Sequence, residues 1–238
     1  MCRPCILKAG DKIAALAGRE GDYEDWIAAG LGLARDAADV VAVHRGAPLP
    51  ALDQVSAVVI TGSGAMVTER LPWMRAVERW LADAVARGVP VLGICFGHQI
   101  LAQALGGRVD YNPRGVEVGT VEVRLAPGAQ AHPLFAGAPE RFRAQASHRQ
   151  SVLTLPPGAQ LLASSDGDPH QAFAIGPCAA GVQFHPEFDE GIVRAYAQSY
   201  SARLHEEGKD PAAVLARSGP SPHAAAVLRR FAACAGLH

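Results

Sequence analysis

Residues 89–107 read Val89-Pro90-Val91-Leu92-Gly93-Ile94-Cys95-Phe96-Gly97-His98-Gln99-Ile100-Leu101-Ala102-Gln103-Ala104-Leu105-Gly106-Gly107. The first part, with Val89, Val91, Leu92 and Ile94, is an apolar run of strand length. The last part, with Ile100, Leu101, Ala104 and Leu105, has helical spacing. Between them a lone cysteine, Cys95, is flanked by Gly93 and Gly97. This is the pattern of a nucleophile elbow, in which a tight strand-to-helix turn holds one residue strained with its side chain projecting outward. Any Cβ at the flanking glycines would clash there. The following helix aims its free N–H groups and positive dipole end at the sulfur, an arrangement that favours negative charge. A small buried cysteine in an ordinary strand–turn–helix connection has the same local pattern, so the rest of the chain decides between the two readings.

Working outward towards the N-terminus, residues 5–9, 39–44 and 55–60 read as strands and residues 22–33 and 71–87 as helices. Pro72 sits at the start of the second helix, and Trp73, Val77, Trp80, Leu81 and Val85 recur along it at helical spacing. The 55–60 strand is nearly all apolar, as expected of a strand buried on both faces. It runs into Thr61-Gly62-Ser63-Gly64, a loop of small residues. Strands alternating with helices predict an α/β fold with a doubly wound, mostly parallel sheet, whose ligands bind beyond the carboxyl ends of the strands. The 62–64 loop and the Cys95 elbow then share one crevice.

From Gly115 the texture changes. Val116, Val118, Val121, Val123 and Leu125 alternate with polar residues in two short runs, which predicts solvent-faced antiparallel strands and hence a small antiparallel insertion. Further short strands are expected at 141–146, 160–164, 171–175 and 179–184, separated by Pro- and Gly-rich turns. From Asp189 the chain reads as helical, with Ile192, Val193, Tyr196 and Tyr200 in one stripe. The expected organisation is one domain over residues 1–188 and a helical extension over 189–238 packed on it.

Bulk properties narrow the function. The 238 residues are 49% hydrophobic and 19% charged, with a net charge of −1. That balance lacks the clustered Lys and Arg needed to neutralise phosphates, so nucleic-acid binding is not expected. No apolar run approaches membrane-spanning length, and the N-terminus lacks the apolar core of a secretory signal. Five cysteines, an odd number, fit reduced thiols in a cytoplasm. Cys2 and Cys5 have C-x-x-C spacing but no second pair of ligands nearby, so neither a metal nor another cofactor is expected.

The second half of a site is found at Gly181-Val182-Gln183-Phe184-His185-Pro186-Glu187-Phe188. Pro186 restricts His185 to extended backbone, and in an extended segment residues i and i+2 share a face, so Glu187 can reach the imidazole. A carboxylate on one ring nitrogen fixes the tautomer and leaves the other nitrogen to exchange a proton with a nucleophile. Cys95, His185 and Glu187 form a triad if the two strand ends meet. His98, three residues after Cys95, is an alternative base or a structural histidine. A metal site from Cys95, His98, His185 and Glu187 is a third arrangement, less suited to an elbow.

Gly93-Ile94-Cys95-Phe96-Gly97-His98-Gln99 together with Phe184-His185-Pro186-Glu187 resembles the class I glutamine amidotransferase domain, with the nearest likeness to the glutaminase portion of GMP synthetases. The likeness includes Thr61-Gly62-Ser63-Gly64 and Ser147-His148. The resemblance implies Cys95 as nucleophile, His185 as base and acid, and Glu187 as its orienting partner. It further implies an oxyanion hole from the backbone N–H groups of Phe96 and the Gly62/Ser63 loop, with Gln99 and His148 in contact with substrate. Two positions depart from the family pattern. Adjacent glycines followed by proline are replaced by Gly62-Ser63-Gly64, and Arg149-Gln150 stands where an acidic residue is common.

The implied activity is hydrolysis of the glutamine side-chain amide through a γ-glutamyl thioester, with ammonia passed to a separate synthetase. The alternative, a stand-alone γ-glutamyl peptidase or hydrolase, would use the same chemistry on a larger leaving group. That alternative suits a chain in which no phosphate-binding loop or synthetase domain follows Phe188. A non-catalytic regulatory module is the third reading, although such a relative predicts an elbow cysteine without His-Pro-Glu.

Overall fold

The structure is a computed structural model that describes residues 2–237; Met1 and His238, the outer ends of the two expected regions, lie outside it. Five parallel strands build the first half of the sheet: β1 (Arg3–Leu7), β2 (Asp39–Val41), β3 (Val55–Ile60), β4 (Val91–Ile94) and β11 (Ala179–Val182), in the order β2-β1-β3-β4-β11. The apolar runs in these strands alternate between two cores. Cys5, Leu7, Val58, Ile60 and Val91 face one side, where α2 (Pro72–Ala86) and α3 (Phe96–Ala104) cover them with Met74, Val77, Leu81, Ile100 and Leu101. Ile6, Val59, Leu92, Ile94 and Val182 face the other, under α1 (Tyr23–Leu31) and α7 (Pro222–Cys234). Continuous hydrophobic strands require cover on both faces, because the side-chain period of two sends successive residues to opposite sides. Each fully buried Leu, Val or Ile stabilises by about 1.5–3 kcal/mol relative to exposure.

Beyond β11 the same sheet continues with antiparallel strands β10 (Ala172–Ile175), β9 (Gln160–Ser164), β6 (Glu117–Leu125) and β7 (Arg141–His148), giving nine strands in all. Two sequence expectations need correction here. The runs between Val116 and Leu125 form one strand, β6, paired with β7 from Glu117↔His148 to Arg124↔Arg141. That strand is not solvent-faced. Val118 packs beneath α4 (Glu190–Ser199), while Val123 and Leu125 enter the core under α7. The cover comes from the C-terminal helices, roughly seventy to a hundred residues away, which no local pattern announces. A separate two-stranded antiparallel sheet pairs β5 (Arg108–Tyr111) with β8 (Gln150–Thr154).

The remaining helices are α5 (Ser201–Glu206) and α6 (Pro211–Ala216). Asp189 caps α4 by accepting from the Ile192 N–H at 2.9 Å. Among the described residues, no helix is long and apolar enough to cross a membrane. Because β4 and β11 are adjacent and parallel, with Val182 opposite Ile94, the segments that carry Cys95 and His185 leave the sheet side by side.

Candidate active site

Cys95 is the residue between β4 and α3, and its backbone has φ 52° and ψ −102°. Only one other non-glycine among the described residues, Arg70, has positive φ. Such a conformation costs on the order of 1–3 kcal/mol and persists only where the surroundings over-determine it. Here they do. The Cys95 N–H donates to the Val182 carbonyl at 2.9 Å, and the Cys95 carbonyl accepts from the Gln99 N–H at 3.1 Å. The flanking glycines are steric requirements: a Cβ on Gly93 would lie 2.3 Å from the Gly97 carbonyl oxygen, and one on Gly97 would lie 2.4 Å from that of Ile60. Phe96 is the first helical residue, so its N–H has no intrahelical acceptor, and the residue lines the crevice.

His185 arrives from the strand next door. Its N–H donates to the Gln145 carbonyl at 2.7 Å, and its Nδ1 lies 2.7 Å from Glu187 Oε1. Both side chains are buried, and Phe188 stacks on the imidazole at 3.9 Å between ring centroids and 8° between planes. Tyr23 and Tyr196 extend the stack and share a hydrogen bond between their hydroxyls. Burial alone would push the His185 pKa down. The Glu187 charge and the adjacent Cys95 outweigh it and hold the value up at about 10. Gly62 is the third steric glycine, since a Cβ there would lie 2.9 Å from His185 Cε1 and 3.8 Å from Cys95 Cβ. The structure thus brings Cys95, His185 and the 62–64 loop to one crevice, with Glu187 buried behind His185.

That crevice has a volume of about 120 Å³ and is lined by Cys95, Phe96, Gln99, Ser63, His148 and His185, among others. The Ser63 hydroxyl is tethered: its Oγ donates to the Ala9 carbonyl at 2.8 Å and accepts from the Ala65 N–H at 3.1 Å. Gln99 is buried, and its side-chain nitrogen donates to the Gln150 carbonyl at 2.7 Å and to Gln183 Oε1 at 3.0 Å. His148 also borders the crevice, but both its ring nitrogens are engaged inside the protein, Nε2 with Glu117 at 2.8 Å and Nδ1 with the Gln150 carbonyl at 3.0 Å. Neither nitrogen is free to meet a substrate.

The other sequence candidates are placed elsewhere. His98 is fully buried beneath the elbow against Phe173 and Gly181, and burial pushes its pKa down to about 3, so it is neutral. It does not join Cys95, His185 and Glu187. Among the described residues, no three His, Cys, Asp or Glu side chains are gathered in a way that could hold a metal ion. Cys5 points into the core, where burial pushes its thiol up to about 12, while Cys2 is exposed. Residues that give no sequence signal of a site complete the crevice wall: Asp11, Ile13, Tyr23, Tyr196 and Tyr200. The 3.6-period stripe of Tyr196 and Tyr200 is visible in the chain, but it reads simply as a buried helix face.

Comparison with known proteins bears on this geometry. The family description "Glutamine amidotransferase class-I" matches residues 33–195. A glutamine-hydrolyzing GMP synthase from Thermomicrobium roseum is 40% identical over 136 residues, covering 55% of this chain and 23% of that protein. One subunit of a glutamine-hydrolyzing GMP synthase from Pyrococcus abyssi is 36% identical over 127 residues, covering 51% of this chain and 65% of the relative. The chain therefore spans less than two thirds of the length of these curated relatives. Among solved structures, a glutamine amidotransferase from Thermotoga maritima superposes with a TM-score of 0.74 at 23% identity, covering 98% of this chain and 97% of the other. One from Methylobacillus flagellatus superposes at 0.73 with 24% identity, covering 99% and 94%. At those identities the superpositions speak to the fold, whereas the sequence match runs from before β2 into α4 and takes in both the cysteine elbow and the His-Pro-Glu segment. By that match, the chain belongs to the class-I glutamine amidotransferase family.

Proposed function

We propose that this chain hydrolyses the side-chain amide of glutamine, with Cys95 as nucleophile and His185 and Glu187 completing the triad. The observation that carries this reading is the meeting of two strand ends. The strained Cys95 and the Glu187-bonded His185 leave adjacent parallel strands into a single crevice. With the Cys95 thiol proton already on His185, the Cys95 thiolate attacks the carboxamide carbon, and the carbonyl π electrons move to oxygen. The N–H groups of Phe96 and the Gly62/Ser63 loop receive that charge; one such donor is typically worth about 3–4 kcal/mol of barrier lowering. His185 gives its proton to the amide nitrogen as the C–N bond breaks, releasing ammonia and leaving a γ-glutamyl thioester. The now neutral imidazole takes a proton from water, whose oxygen attacks the thioester, and glutamate leaves as the C–S bond breaks. Glu187 holds the ring orientation throughout and stabilises the imidazolium.

A cavity of about 120 Å³ is far below the ~300–1,000 Å³ of pockets for larger ligands. That size favours ammonia as leaving group over the amine of a peptide or other γ-glutamyl conjugate. Relatives from Thermococcus kodakarensis and Pyrococcus abyssi, each named as one subunit of GMP synthase, support a separate synthetase as the acceptor of the ammonia. Residues 1–188 and the helical segment 189–238 are read as one working unit, because α4 lends Tyr196 to the crevice wall. The five free cysteines, among the described residues, accord with work in a reducing cytoplasm. The deciding experiment measures ammonia released from glutamine against amine released from γ-glutamyl peptides, with Cys95→Ala and Cys95→Ser as controls. Ammonia release lost in both variants is the expected result. Full activity in either variant, or turnover of γ-glutamyl peptides but not glutamine, would overturn the proposal.

A further inference from the structure

His148 and Glu117 are buried, titratable and unused by the mechanism above. They stand directly opposite each other at the ends of β7 and β6, so their side chains meet as a cross-strand pair. The Glu117 carboxylate is saturated by three donors: His148 Nε2 at 2.8 Å, Ser165 Oγ at 2.6 Å and Gln171 Nε2 at 2.5 Å. His148 Nδ1 faces the Gln150 carbonyl at 3.0 Å, with Asp168 Oδ2 at 4.0 Å behind it. Both ring nitrogens therefore look at acceptors, which only the doubly protonated imidazolium satisfies. In keeping with that, burial would lower the pKa of this ring, but Glu117 and then Asp168 and Cys95 raise it to about 9. Neutral His98, buried nearby, feels this charge and that of His170.

The pair sits where the chain leaves the nine-stranded sheet for the two-stranded one. His148 is the last residue of β7 and Gln150 the first of β8. The corner between them is a wall of the crevice. The Ser147 carbonyl lies 3.6 Å from Cys95 Sγ, and the Gln150 carbonyl accepts from Gln99 as well as from His148. Arg149, at the tip, is exposed and lies over the Tyr111 ring at 5.6 Å. We propose that Glu117, acting through His148, is a positioning residue: the buried ion pair locks the 147–150 corner and so sets the distance from Cys95 and Gln99 to the wall that a glutamine must fit against. Neither residue touches the reacting atoms. Buried charge pairs of this kind are weak sources of stability but hold a geometry firmly, because each alternative leaves a charge unpaired. The role rests on the glutaminase reading of Cys95.

The test is Glu117→Gln in the full chain, which keeps shape and an acceptor oxygen while removing the charge. The expected result is a rise of about tenfold in KM for glutamine with kcat within about threefold, the signature of lost placement rather than lost chemistry. Alkylation of Cys95 by iodoacetamide, which needs no fitted wall, should keep its wild-type rate. A folded variant with unchanged KM, or with kcat falling at constant KM, overturns the positioning role alone. A wild-type chain that releases no ammonia from glutamine overturns the glutaminase reading and this role with it. Should the variant fail to fold, nitrogen NMR of the wild-type His148 ring decides. Protons on both nitrogens at neutral pH support the pair, and a single protonated nitrogen refutes it.

Discussion

Replacing Gly62 with alanine puts the geometry of the crevice to a quantitative test. The new methyl would stand 2.9 Å from His185 Cε1, where carbon–carbon contacts favour about 3.5–4.0 Å, so roughly 0.6–1.1 Å must be found. The imidazole cannot supply it by rotating, because Glu187 holds Nδ1 at 2.7 Å and Phe188 covers one face at 3.9 Å. Either the ring is pushed from the sulfur or the 62–64 loop is pushed from its position, and both disturb the proposed reaction coordinate. Misplacement by about 1 Å can cost 100-fold in rate, and overpacking a buried site typically costs about 1–3 kcal/mol. Gly62→Ala should therefore release ammonia from glutamine roughly 100-fold more slowly, while a thermal melt shows a fall of a few degrees rather than unfolding. Gly64→Ala is the internal control: nothing lies within 4 Å of a Cβ there, and its φ needs no glycine. It should keep kcat within about twofold, as surface substitutions do. Wild-type kcat in a folded Gly62→Ala enzyme would refute the claim that His185 and the loop are in contact across the nucleophile.

The other predictions concern the histidines. His98→Gln should retain ammonia release within about tenfold, whereas His185→Gln should lose at least 100-fold, the scale of a general acid–base group; a folded His98 variant without activity would move the base to His98. Stability should depend on pH in two directions. The folded pKa of His148, about 9, and of His185, about 10, lie above the unfolded value near 6.5. Their contributions are thus fully present below that unfolded value and are lost as pH rises through the folded ones, and the melting temperature should fall steadily on the alkaline side. On the acid side, His98 with its folded pKa near 3 and Asp11, held below the usual carboxylate range by Arg45 against the opposing effect of burial, with Lys8 and His44 adding to it, bind protons more readily when unfolded. The melting temperature should fall there too, giving a maximum near neutrality. A melting temperature that is flat from pH 7 to pH 10 would contradict the buried imidazolium assignments.

Much of the site is legible in the sequence because its geometry is local. Gly93 and Gly97 flank Cys95 within one turn, and the clashes that make them glycines involve only that turn and the strand beside it. Glu187 reaches His185 because extended backbone puts i and i+2 on one face. The strands β3 and β4 and the helix α2 are equally clear, since burial on one face or two leaves a period in the residues themselves. What has no local signature is decided by pairing across long separations. The strands β5 and β8 are short and partly polar, and each exists because the other, some forty residues away, satisfies its backbone. The face of β6 departs from its sequence expectation because its cover arrives with α4, α6 and α7. Tyr23 and Tyr196 come from 173 positions apart to share one hydrogen bond beside His185.

His148 shows the boundary most clearly. Its place beside Ser147 can be read from the chain, but not the direction of its ring, which is fixed by Glu117 across the β6–β7 pair. The sequence by itself marked Cys95 as the elbow residue and explained why the turn around it must be glycine, since strain and steric exclusion act over a few bonds. Only the tertiary structure decided which histidine leaves the strand beside Cys95, which one is buried beneath the elbow and which one pairs with Glu117. Those outcomes depend on burial and on charges brought together by the sheet, and neither quantity exists until the distant strands have paired.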